Sequence, residues 1–150
     1  MSLIASIIRP DAALLPRRDC SVLIVVDRQF QLILIQEIVA RLGARPVFVP
    51  SVAEARNRCR HQRFDAIVVT GSCADAASVA DLRNDSDWTA TVPLIFLASG
   101  ETLRTFGDLC EARVTLVLPE PTSAPQLAAA LLGALALNVR DEDEVLVQVA

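Results

Sequence analysis

Val22 to Val26, Pro46 to Val49, Ala66 to Val69, Pro93 to Leu97 and Val114 to Leu118 are short apolar runs, each followed by a stretch of helical character. A strand wetted on one face alternates apolar and polar residues, whereas a nearly continuous apolar run must be covered on both faces. Five such strands separated by helices predict an α/β, doubly wound three-layer sandwich of (βα)5 type around a five-stranded parallel sheet.

The helical stretches carry their own punctuation. Gln29 to Leu42 is closed by Gly43, and Ser51 with Glu54 three residues on has the spacing of a capping box for a helix reaching about His61. Ala74 to Arg83 forms a third helix, and Glu101 to Glu111 a fourth, weakened by Gly107. Ser123 caps a fifth, from Ala124 to about Leu137. The 150 residues suit one domain over 21–138, preceded by an arm or linker over 1–20 that holds Pro10, Pro16 and Arg17-Arg18-Asp19. An acidic tail follows over 139–150, with Asp141-Glu142-Asp143-Glu144 ahead of Val145 to Val149. That tail adds an edge strand, pairs with a neighbour or stays mobile, and sequence alone leaves the three open. Arm and tail together suit a module from a larger multidomain protein.

Charge and cysteine usage narrow the function classes. The net charge of −4 and pI near 4.9, with no basic run standing out and Arg17-Arg18 too short to count, argue against nucleic acid. No apolar run is long enough for a membrane span, and the first residues lack a basic leader. Cys20, Cys59, Cys73 and Cys110 are widely separated and His61 is the only histidine, so a zinc site is not expected. Reduced thiols acting as small core fillers in a cytoplasmic protein fit a βα pattern better than disulfides. The first strand ends in Val25-Val26-Asp27-Arg28-Gln29 rather than a glycine-rich dinucleotide turn, and neither a P-loop nor a G-x-S-x-G elbow occurs.

In open α/β sheets the functional crevice lies at the carboxyl ends of the strands, which directs attention to Asp27, Thr70, Ala98 with Ser99, and Glu120. Over about residues 21–137 the chain resembles two-component receiver domains of the CheY-like, flavodoxin-like architecture. The resemblance rests on Val22-Leu23-Ile24-Val25-Val26-Asp27, Leu42-Gly43, Phe64 to Thr70, Pro93 to Leu97, and Glu120-Pro121, taken in order and spacing. It also implies a degenerate pocket. Active receivers carry two adjacent acids after the first strand; here the pair is Val26-Asp27. Their phosphoacceptor aspartate falls on Thr70, their hydroxyl residue after the fourth strand on Ala98, and their lysine after the fifth strand on Glu120. Their aromatic switch residue falls on Val117, and the proline turn after the acceptor is missing from Gly71-Ser72-Cys73.

The physics of these departures is consistent. Mg²⁺ takes hard oxygen ligands, usually one or two carboxylates plus phosphate, and Asp27 beside neutral Thr70 is a poor set. A transferring phosphoryl group needs positive charge around it. At about 4 Å and an effective dielectric near 20, replacing attraction by repulsion at Glu120 shifts the interaction by roughly 8 kcal/mol before solvation offsets. No lysine elsewhere substitutes, because the sequence has none. Asp65 stands at the far end of the third strand, roughly 16 Å from Thr70 at about 3.3 Å per residue, and reads as a solvated or capping carboxylate.

The resemblance therefore implies a pseudo-receiver: no enzyme, no cofactor, no metal, and action through a protein partner or itself in a bacterial two-component or cell-organisation pathway. The last helix is apolar all round, with Leu127, Leu131, Leu132 and Leu135 among alanines. Together with Val117 it is the expected homodimer or partner face, while alanines simply facing solvent is the plainer alternative. Trp88 packs over the sheet edge or anchors a partner. Two other readings stand beside this one: an active receiver using Asp27 as acceptor, and a flavodoxin-like ligand binder or enzyme.

Overall fold

The computed structural model of the chain describes residues 20–27, 29–71, 74–98, 106–120 and 122–142. Its strands are β1 (Cys20–Val25), β2 (Ala44–Val49), β3 (Ala66–Thr70), β4 (Leu94–Ala98) and β5 (Leu116–Pro119). The helices are α1 (Gln29–Arg41), α2 (Val52–Cys59), α3 (Ala76–Arg83), the short α4 (Asp87–Thr91), α5 (Phe106–Glu111) and α6 (Ala124–Glu142). All four strand pairings are parallel and the order is β2-β1-β3-β4-β5, the doubly wound sheet expected from the apolar runs.

Alternation along each strand divides the core in two. Val22, Ile24 and Val26 of the first strand segment face one layer, with Ile35, Ile38 and Val39 of α1 and Leu127, Leu131 and Leu135 of α6. Leu23 and Val25 face the other, with Val52, Ala55 and Cys59 of α2 and Val79 and Leu82 of α3. Because β1, β3 and β4 are interior strands, every residue from Ala66 to Thr70 and from Leu94 to Ala98 is buried, which is why those runs show no polar alternation.

Local signals act largely as the sequence suggests. Gly43 ends α1 at φ 80°, a left-handed conformation that glycine adopts without a Cβ clash. Ser51 accepts a hydrogen bond from the Glu54 amide at 3.2 Å, the Ser51 half of the expected box. Ser123 and Gln126 cap α6 reciprocally, amide to side chain, at 3.3 and 3.4 Å.

Several boundaries move. Cys20 belongs to β1 rather than to the arm, because its carbonyl and amide lie in the register Cys20↔Ala44. The polar segment Asp85-Ser86-Asp87-Trp88 is a turn only up to Ser86: Asp87 and Trp88 open α4, started by the capping box of Ser86 and Thr89. Helix α6 runs on to Glu142, taking in the first acidic residues of the expected tail. Residues 101–105, expected to open the fourth helix, lie outside the described residues, as do the arm up to residue 19 and the tail from residue 143. Cys20 and Cys59 are buried thiols, as expected of core fillers, and burial pushes the Cys59 thiol up to about 11.

The expected interface on α6 needs correction. Leu127, Leu131 and Leu135 recur every fourth residue on one side of the helix and are at most 1% exposed. They pack into the core layer with α1, so they are not available to a partner. Leu132 is half-buried against the same layer, and Val117 is half-buried against the opposite one. The outward positions are Gln126, Ala129 and Gly133, so the helix looks apolar all round only because its solvent side is made of small residues. Among the described residues no helix is long and apolar enough to cross a membrane.

Candidate functional site

The topology brings the expected pocket positions together. β1 and β3 are parallel neighbours, but the chain passes from β1 to β2 on one side and from β3 to β4 on the other, so their carboxyl ends bracket the switch in strand order. Val25 pairs with Val69, Thr70 with Leu97, and Ala98 with Pro119, which sets the ends of β1, β3, β4 and β5 side by side. Backbone bonds continue past the strand ends: Val26 N–H donates to Val49 C=O at 3.0 Å, Gly71 N–H to Leu97 C=O at 2.7 Å, and Glu120 N–H to Ala98 C=O at 2.8 Å. Ser99, Cys73 and Pro121, which border this crevice in sequence, lie outside the described residues.

Each position has a definite environment. Val26 is buried in the core layer under α1, so its side chain offers nothing to the crevice. Asp27 is exposed at the rim, and Glu120 is half-buried after β5. Ala98 is fully buried against the α2–α3 layer and brings no hydroxyl. Thr70 is 0% exposed, and its Oγ1 hydroxyl donates to the Val25 carbonyl at 3.0 Å, across the β1–β3 boundary. A buried hydroxyl needs such a partner, and this one ties it to the sheet rather than aiming it at solvent.

This set does not suit a divalent cation of the kind active receivers hold. Among the described strand-end residues, Asp27 and Glu120 are the carboxylates. Thr70 commits its proton to a main-chain oxygen and Val26 is apolar. Among the described residues no group of three or more His, Cys, Asp and Glu is placed to hold a metal ion. What the arrangement does chemically is close the end of β3: it presents no carboxylate nucleophile at the acceptor position and no cation after β5.

At the opposite end of the sheet, Asp65 accepts from the Ser21 amide at 2.8 Å while its own amide donates back to the Ser21 carbonyl at 2.8 Å. It is a clamp between the starts of β1 and β3, a structural role but neither the solvated nor the capping one expected. Trp88 lies against the α2–α3 layer, its ring centroid 6.4 Å from that of Phe64, with the Arg63 guanidinium 5.7 Å from the indole centroid.

Sequence reasoning missed Arg83. It is 2% exposed, and its guanidinium donates to the carbonyls of Thr89 (3.0 Å), Val92 and Arg113 (2.7 Å). Burial, and secondarily the Arg113 charge, lowers its pKa to about 10, still far above neutrality. The side chain therefore joins the end of α3 to α4, to the entry of β4 and to the turn before β5. The one signal was position: Arg83 falls four residues after Val79 and one after Leu82, both inward positions of α3, which places the side chain inward without naming its partners.

No protein-family model and no curated protein matches the sequence. Solved structures do match in fold. The receiver domain of a sensor histidine kinase from Pseudomonas aeruginosa, which has a magnesium ion coordinated in its active-site cleft, aligns at TM-score 0.69 and 20% identity, over 79% of this chain and 98% of that one. The signal receiver domain of an HD domain-containing protein from Pseudomonas fluorescens aligns at TM-score 0.71 and 17% identity, over 81% and 98%. A chemotaxis response regulator of Vibrio cholerae aligns at TM-score 0.68 and 16% identity, over 79% and 99%. Strand order, helix placement and these alignments agree: the chain has the CheY-like fold of two-component receiver domains.

Proposed function

We propose that the chain is a phosphorylation-independent receiver-like domain, a non-enzymatic cytoplasmic module that works through protein contacts in two-component signalling or cell organisation. The observation that carries this reading is Thr70: the acceptor position holds a wholly buried hydroxyl donated to the Val25 carbonyl. A threonine cannot form the acyl phosphate on which a receiver's switching depends, and Val26, Ala98 and Glu120 remove the surrounding groups in parallel. The fold then supplies a rigid scaffold whose outer faces do the work.

The test is a titration with Mg²⁺ and beryllofluoride, a phosphoryl mimic, followed by amide NMR. The expected result is no saturable shift at Thr70, Gly71, Ala98 or Glu120. Saturable shifts at those amides would refute the reading. A second reading uses Asp27 as acceptor, and its exposed position at the rim is the observation in its favour. Acetyl phosphate labelling that disappears in Asp27→Asn would select it.

A further inference from the structure

The cations of this chain are unevenly placed. Four of its 14 basic residues, Arg56, Arg58, Arg60 and Arg63, fall within eight positions, with no acid between Glu54 and Asp65, although the chain as a whole carries −4. They occupy the carboxyl end of α2 and the connection to β3. In a parallel sheet that helix runs back toward the amino-terminal ends of the strands, so the arginines stand at the pole opposite the crevice. The macrodipole favours cations in a helix's last turn and accounts for Arg56 and Arg58. Its influence ends with that turn and does not account for Arg63.

Local contacts show how this surface takes a carboxylate. Arg56 forks onto Asp85 through Nε and Nη2 at 2.8 and 2.9 Å. This pairing first, and the Arg60 charge after it, hold the Asp85 carboxyl below its ordinary range. Forked pairing is a property of guanidinium rather than ammonium. Arg63 lies over the Trp88 ring, 5.7 Å from its centroid, so its side chain is partly ordered before any partner arrives. Arg58, Arg60 and Arg63 are all exposed.

The same contacts select among anionic partners. Trp88 is half-buried against Phe64 and carries Arg63 over its ring, so it is not the open stacking platform that single-stranded nucleic acid uses. A long polyanion also meets the net negative charge of the whole molecule, whereas a short segment meets only the arginines. Among the described residues the exposed large apolar side chains are Ile33 and Leu116, on α1 and β5, so this surface has no such anchor for a membrane.

We propose that the end of α2 and the connection to β3 bind an acidic peptide segment of a partner protein, with Arg58, Arg60 and Arg63 receiving its carboxylates while Arg56 stays on Asp85. This rests on the reading of the domain as an interaction module and names a surface and the chemistry of its occupant.

The probe is a short labelled peptide of alternating glutamate and glycine, titrated into the full chain and followed by its anisotropy and by the emission of Trp88, the one tryptophan. The expected result is saturable binding, seen by both signals, at about 0.05 M salt that weakens at least about tenfold at about 0.3 M. The glutamine analogue does not bind. Arg60→Glu weakens binding at least about fivefold, and Arg58→Glu with Arg60→Glu abolishes it. Arg41→Glu, the same charge change at an exposed position on α1 in the other layer, alters it less than about twofold. Circular dichroism melts of each variant exclude loss of fold as the cause. Absence of binding at the lower salt overturns the proposal, as does binding that leaves Trp88 emission unchanged or that Arg41→Glu weakens as much as Arg60→Glu. Tighter binding of single-stranded RNA or of phosphatidylserine vesicles, lost in the same double variant, overturns it in favour of that partner. No phosphoryl mimic enters these measurements and the crevice lies at the other pole, so the NMR titration fails or succeeds independently.

Discussion

At Thr70 one side chain closes the end of β3. Its hydroxyl is satisfied and enclosed, so the carboxylate of Thr70→Asp is an ion placed where, among the described residues, no lysine and no metal-binding cluster receives it. That variant is expected to lose about 3 kcal/mol in urea denaturation at neutral pH and to remain unlabelled by a phosphodonor. Thr70→Val, similar in shape, removes only the bond to the Val25 carbonyl and is expected to cost about 1 kcal/mol. Arg83 acts at the other pole. Arg83→Met leaves the Thr89, Val92 and Arg113 carbonyls without their donor, and a loss of about 3 kcal/mol is expected in the same assay. The substituted pocket positions were legible because each is a side-chain identity at a countable place along the strands. Arg83 was not, because its partners are main-chain carbonyls gathered from α4, the turn into β4 and the turn before β5, and no sequence spacing announces them.

Helix ends set the next layer of stability. Asp75 caps α3, accepting from the Ser78 amide at 2.9 Å, and that backbone bond, followed by the Ser78 hydroxyl, holds its carboxyl below the ordinary aspartate value. The sign follows from the lowered value: the cap's contribution is present above the unfolded pKa of about 3.8 and is lost as pH falls through the lower folded one. Asp75→Ala is therefore expected to cost about 1 kcal/mol at pH 7, with wild type and variant converging in thermal melts as the pH is taken below that window. On α6, Leu131→Ala opens a cavity in the layer shared with α1 and is expected to cost about 3 kcal/mol. An exposed dimer face would predict little effect on monomer stability instead. The helix pattern was legible in its capping residues and misleading in its orientation. Composition cannot say that Ala129 and Gly133, rather than the leucines, face outward when both sides are apolar. The short α4 escaped because Ser86 and Thr89 cap a helix too brief to show periodicity.

The assembled sheet explains why parallel pairing and burial were readable from five apolar runs while the crevice rim was only partly so. Interior strands impose one constraint, cover on both faces, and the sequence states it directly. The rim is made by the turns after β1, β3, β4 and β5, where side-chain direction depends on local backbone. With the acceptor position enclosed, Val26 in place of one acid of the first pair and Glu120 in place of the cation, the proposed reading is a receiver scaffold that does not switch by phosphoryl transfer. Intact mass spectrometry after incubation of the wild-type chain with acetyl phosphate and Mg²⁺ tests this directly. An unmodified mass is the predicted result, and a single hydroxylamine-labile phosphoryl adduct, the signature of an acyl phosphate, would contradict it.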